Sequence, residues 1–204
     1  MAVWRFVNLD IPEAQFLADL TGVEEDLKAT AEICDLLLGE FAKGPSNLSL
    51  LEALTSAALV RYARPFLSGV RTRIPASVFD GLSQQQRADH QWFKELRDKY
   101  IAHSVNAFEE NQVVAYLFPE ERESRGVSNI EVQQTRLASL GTEDVQRLKA
   151  LSLDLQRWVE QLIKAEKQKV LAIARSLPVD ALYHKVDPPA RAATRADAGK
   201  SRKR

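Results

Sequence analysis

The chain has 204 residues, 45% of them apolar, and 28 Lys and Arg balance 28 Asp and Glu. That is enough apolar material for one generous core, and a net charge of zero gives no argument for a nucleic-acid partner. The single cysteine, Cys34, excludes an intramolecular disulfide, and no apolar run has the length of a signal peptide or membrane span, so the chain reads as cytoplasmic with no membrane partner.

Helical periodicity dominates the first half. Asp10 caps a short helix opening at Ile11 and Pro12, and Gly22 interrupts it. A longer helix follows, with Leu27, Ala31, Cys34, Leu37, Leu38 and Phe41 on one stripe, and Gly44-Pro45 stops it. A second long helix spans about 47–64, where Pro65 bends or ends it. Residues 68–81 form a connection with one short turn after Pro75. Ser83 and Gln86 make a capping box that starts a helix over about 84–106. On it Phe93, Leu96, Tyr100 and His103 share one face.

The period then changes. Val113 to Phe118 is a β-branched and aromatic run closed by Pro119, and Ile130 and Val132 alternate with Glu131 and Gln133. These read as a two-stranded excursion over about 111–137. An isolated pair of strands is marginal, so the excursion should lean on the helices. Gly141-Thr142 caps the longest helix, about 143–176, where Leu148, Leu151, Leu155, Trp158, Leu162 and Ala165 keep heptad-like spacing. That seam faces either its own bundle or a second protomer. Residues 185–204 hold seven Lys or Arg against two Asp and almost no large apolar side chain. They read as a disordered basic tail that solvates the terminus or grips RNA nonspecifically. The architecture expected is all-α: one helical domain over 1–184 with a small two-stranded β insertion and a long C-terminal helix.

The chemistry centres on the stretch Arg97-Asp98-Lys99-Tyr100-Ile101-Ala102-His103-Ser104. An arginine stays charged and offers a planar fork of donors to a phosphate, and a histidine moves a proton near neutral pH. Together they are a minimal kit for cutting a phosphodiester without a metal. Taken alone, His103 would end a core stripe and Arg97 would be a solvated cation. One turn from Arg97 stand Phe93, Lys94, Tyr100 and Ile101, so it has no carboxylate partner on its own helix, and adjacent Asp98 points elsewhere. Six residues along an ideal helix separate two side chains by about 120° around the axis and about 9 Å along it. A shared site therefore needs a distorted helix, long side-chain reach, or a second copy of the motif across a symmetric dimer.

Arg61 and Arg64, three apart on one helix face, have two readings. They extend a phosphate-binding surface with Tyr62 available for base stacking, or they are surface charges suited to a helix C-terminus. Cys34 reads as a buried small hydrophobe, and Trp92 and Trp158 as packing residues. His90 and His184 lack metal-ligand spacing to other ligands, and one cysteine cannot build a cysteine-based zinc site, so neither a metal nor a cofactor is called for.

The string from Arg97 to His103 resembles the signature of the HEPN superfamily (higher eukaryotes and prokaryotes nucleotide-binding domains), in its abortive-infection-type branch. Those domains carry Arg, a polar residue, and then His after four to six intervening residues; here the gap is five and the polar residue is Asp98. The helix end Arg61-Tyr62-Ala63-Arg64-Pro65-Phe66 is similar to the basic-aromatic helix end of that branch, and the resemblance covers about 23–162. It implies a HEPN-like helical bundle that forms a homodimer and brings two Arg-His motifs into one cleft. Catalytic members are metal-independent endoribonucleases in which the RNA 2′-hydroxyl is the nucleophile and a 2′,3′-cyclic phosphate the product.

Carried onto this chain, the resemblance makes Arg97 the ligand of the scissile phosphate and His103 the general acid or base. Asp98 would orient the motif or fix the tautomer of His103. Arg61, Arg64, Tyr62, Lys99, Tyr100 and Ser104 would line the RNA-binding surface. A toxin-like role in antiviral defence would bring a neutralising partner protein. Many members of the superfamily are not enzymes, so a non-catalytic module binding a nucleotide, RNA or a protein stays open, as does a purely structural helical dimer.

Overall fold

A computed structural model describes residues 6–44, 47–67, 72–101, 109–119, 125–185 and 193–200. The first two expected helices are one continuous helix, α1 (Pro12–Lys43). Gly22 does not break it, because Leu20, Val23 and Leu27 around it are all buried in the core. Their burial outweighs the penalty of about 1 kcal/mol that glycine carries within a helix. Nor does Asp10 cap α1: Ile11 holds the cap position without a side-chain hydrogen bond, and Asp10 pairs with Lys185 at 2.7 Å. Gly44, at φ 90°, closes the helix in a conformation that other residues rarely adopt.

α2 (Leu48–Ala63) starts where Asn47 accepts a hydrogen bond from the Leu50 amide at 3.0 Å, and Pro65 turns its end into a 3-10 turn, Arg64–Phe66. A second 3-10 turn, Ala76–Gly81, follows Pro75. α3 (Gln84–Leu96) opens on both halves of the expected capping box: the Gln86 amide donates to Ser83 Oγ and the Ser83 amide to Gln86 Oε1. It then loosens into a π-helical turn, Arg97–Ile101.

β1 (Glu109–Leu117) and β2 (Val127–Arg136) pair antiparallel, with Val113 opposite Val132 and Ala115 opposite Ile130. The period-2 pattern puts these apolar residues on one face. That face does not lean on the helices as expected: Val113, Leu117, Ile130 and Val132 are each more than half exposed. The hairpin is tied to the bundle just past its exit instead, where Tyr100 Oη donates to the Leu137 carbonyl and the Leu140 amide to Thr55 Oγ1.

α4 (Thr142–Ser176) packs along α1. Lys149 pairs with Asp35 towards one end of the two helices, and Lys185 reaches Asp10 beyond the other, so they run antiparallel. The apolar seam of α4 therefore faces its own bundle. Its buried residues include Leu148, Leu151, Leu155, Val159, Ile163 and Val170; Trp158 and Leu162, expected on the stripe, flank it half-buried. Two buried hydroxyls are satisfied within their own helices, Thr30 on the Asp26 carbonyl and Ser152 on that of Leu148. α5 (Val179–His184) follows, and a 3-10 turn, Arg195–Asp197, lies in the described part of the tail. Among the described residues no helix is long and apolar enough to cross a membrane.

Candidate functional site

Arg97 sits where α3 gives way to the wider turn. Its own amide still bonds back to Phe93 and Lys94, while Phe93 and Leu96 anchor the preceding turn in the core. At the far end of the π turn, Tyr100 is held by its hydroxyl on Leu137 and Ile101 packs against the core. Such single π turns recur at functional sites, because they re-aim side chains that a regular helix would point elsewhere.

The re-aiming is visible in Arg97 and Asp98. Arg97 Nη1 donates to Asp98 Oδ1 at 2.9 Å, and Lys94 Nζ donates to Asp98 Oδ2 at 3.1 Å. The expectation that Arg97 lacks a partner on its own helix, with Asp98 pointing away, is therefore corrected. A wider turn rotates less per residue, which lets neighbouring side chains meet. The Arg97 side chain remains partly open to solvent, 27% exposed. Partial burial opposes ionisation of Asp98, but the hydrogen bonds and charges of Arg97 and Lys94 outweigh it and hold the carboxyl below the ordinary range. Asp98 is thus a fixed anion between two cations.

Lys99 is mostly exposed and pairs loosely with Glu95 at 3.7 Å, while the hydroxyl of Tyr100 is already committed to a backbone carbonyl. His103 and Ser104 lie outside the described residues.

The second expected set divides. Arg61 and Arg64 both place Nη1 on the same oxygen of Asp26, at 2.8 and 3.1 Å. Asp26 projects from α1 and is 1% exposed. Tyr62 is not available for base stacking, which corrects that expectation. It is fully buried, edge-on to Phe93 and tilted against Phe66, and its hydroxyl lies 2.8 Å from His90 Nδ1. A fully enclosed ring has no open face to offer a base. Among the described residues no hydrogen bond or ion pair joins the Asp26 group to the Asp98 group.

His90 lacks metal-ligand spacing in the sequence, yet it sits among the rings of Tyr62, Phe66 and Phe79. Its ring centroid lies 4.5 Å from those of both Phe66 and Phe79. Burial first, then the nearby charge of Lys94, lowers its pKa to about 4. Burial, reinforced by Asp89, pushes Tyr62 well above its usual value. Both shifts favour the neutral forms, and the tautomer of His90 sets which of the two donates in their hydrogen bond.

Asp26 was also missed. The signal was present: Asp19 and Asp26 recur at helical spacing with Val23 and Leu27, a carboxylate pair on an apolar stripe. Cys34 is buried as expected, and burial with the charge of Asp35 pushes its thiol up to about 12, far from a reactive thiolate. A cleft of about 600 Å³ lined by Asn8, Asp10, Gln15 and Ala18 contains none of the expected site residues. Among the described residues no group of three or more His, Cys, Asp or Glu is placed to hold a metal ion.

Comparison with known proteins gives no further anchor: no family model, no curated protein and no solved structure matches the chain.

Proposed function

We propose that the protein is a metal-independent endoribonuclease of HEPN type that acts as a homodimer, in a toxin-like or defence role. The observation that carries this reading is the placement of Arg97. A partly exposed arginine stands at a π-helical turn, steadied by an ionised neighbour, six residues before His103. Arg97 binds the scissile phosphate and offsets the charge that builds on it in the transition state. His103 moves the proton, taking it from the 2′-hydroxyl or giving it to the departing 5′-oxygen. Two copies of the motif in one cleft supply one histidine for each transfer. Asp98 keeps the guanidinium in place, a role supported by its contacts with Arg97 and Lys94.

A second reading draws on the same contacts. Arg97 already has a carboxylate partner and Tyr100 a backbone one, which suits a preset binding surface as well as a catalytic one. In that case the protein is a non-catalytic module that binds a nucleotide, RNA or a partner protein.

Incubation of the purified chain with single-stranded RNA in EDTA separates the two. Cleavage is expected for the wild type, with Arg97→Ala slowing it about a hundredfold or more and His103→Ala by about 10²–10⁴. Undiminished cleavage by both variants contradicts the mechanism. Binding without cleavage, weakened by Arg97→Ala and unaffected by His103→Ala, selects the module.

A further inference from the structure

We propose that Arg61 and Arg64 form one phosphate-binding fork, set by the buried carboxylate of Asp26, that grips the RNA backbone at a point other than the Arg97 turn. The choice of RNA as the source of the phosphate rests on the function proposed above; the fork itself rests on geometry. Both Nη1 atoms approach one oxygen, at 2.8 and 3.1 Å, so these nitrogens lie within about 6 Å of each other. The carboxylate at the base is 2% exposed at its side chain, while the two arginine side chains are 46% and 41% exposed. The group is closed at the bottom and open at the top.

Each guanidinium carries five N–H donors in a plane. Among the described residues Asp26 is the one partner of either arginine, and it engages Nη1 of each. Nε and Nη2 of both remain for a ligand. Two planar forks side by side suit the oxygens of a phosphate, which arginine recognises in a bidentate way.

Charge favours the same occupant. A single arginine would neutralise Asp26, and here there are two. The C-terminus of α2 adds about half a negative charge. The sum of the arginines, the carboxylate and the helix end stays positive, with two like charges held close together. An anion relieves that repulsion. Ordinary surface arginines at a helix end need no buried aspartate on another helix to aim them, and a buried ion pair is a poor device for stability alone. Asp26 is thus a positioning residue.

The test uses the full chain and a 2′-O-methyl single-stranded RNA, which has no free 2′-hydroxyl to attack, with binding read by fluorescence anisotropy across a salt series. Arg61→Gln and Arg64→Gln should each weaken binding about tenfold. The double variant should be little worse than either, because one phosphate is lost in every case, and its salt slope should fall by about 0.7, the value for one contact on a single strand. Asp26→Asn is the sharpest arm, because it makes the protein more positive. Simple charge attraction predicts tighter binding; the fork predicts weaker binding, since the guanidiniums lose their seat. Tighter or unchanged binding by Asp26→Asn overturns the proposal. Should that variant fail to fold by circular dichroism, the charge-preserving pair Arg61→Lys/Arg64→Lys decides: wild-type affinity overturns the fork, and a tenfold loss supports it. The two proposals fail separately. Normal binding by the fork variants, with cleavage still dependent on Arg97, removes the fork and leaves the nuclease. Fork-dependent binding with no cleavage of ordinary RNA does the reverse.

Discussion

The α1–α4 seam and the β1–β2 hairpin use the same kinds of apolar residue to opposite ends. Along the seam, residues spaced three and four apart face a partner helix, and Val23, Leu27, Leu148 and Leu155 are fully enclosed. In the hairpin, residues spaced two apart gather Val113, Ala115, Ile130 and Val132 on one face, and its large residues stay mostly in the open. The period of the pattern decides the element, but only a facing surface turns an apolar stripe into stability. Folding free energy is therefore concentrated in the helices. The hairpin depends on the bundle through a few polar ties, chiefly Tyr100 to Leu137 and Leu140 to Thr55.

The comparison breaks most easily at the seam. Leu148→Ala should lower stability in urea unfolding by about 3 kcal/mol, from lost burial and the cavity left behind. A loss under about 1 kcal/mol would mean that α4 does not carry the core.

Acid should find the next weak point of the helical region. Burial holds the folded-state pKa of His90 at about 4, below the ordinary histidine value of 6.5. Its neutral form thus adds stability that is fully present above about pH 6.5 and is lost as pH falls towards 4. Between pH 6.5 and about pH 5 the wild type should lose more stability in urea unfolding than His90→Gln does. Parallel pH curves for the two proteins would show that His90 is not held neutral by its aromatic surroundings.

The smallest effect belongs to the hairpin. Ile130→Thr or Val132→Thr should change global stability by no more than about 0.5 kcal/mol, and the hairpin amides should exchange faster than those of α4. A destabilisation comparable to that at Leu148 would place the apolar face of the hairpin against something that stabilises the fold.

The sequence conveyed local signals more faithfully than long-range ones. Asn47, Ser83 with Gln86, Gly44 and Pro65 each act on the backbone within a few residues, and each starts or ends a helix where expected. Gly22 misled, because a glycine penalty of about 1 kcal/mol is easily outweighed by burial that pattern alone does not count. The uncovered hairpin face misled for the converse reason: alternation announces an apolar face but not what lies opposite. The site divides in the same way. The Arg97 stretch stood out in the sequence, but the π turn that joins Arg97 to Asp98 did not, since no residue type marks it. Asp26 and its two arginines are 35 and 38 residues apart in the chain, and only the packing of α1 on α2 brings them together.

The most direct measurement of the central claim is the chemistry of the RNA ends left by the full chain in EDTA. The account predicts 2′,3′-cyclic phosphate and 5′-hydroxyl ends with the wild type, and their disappearance in both Arg97→Ala and His103→Ala. Ends bearing 3′-hydroxyl and 5′-phosphate, or cyclic ends that persist in both variants, would contradict it.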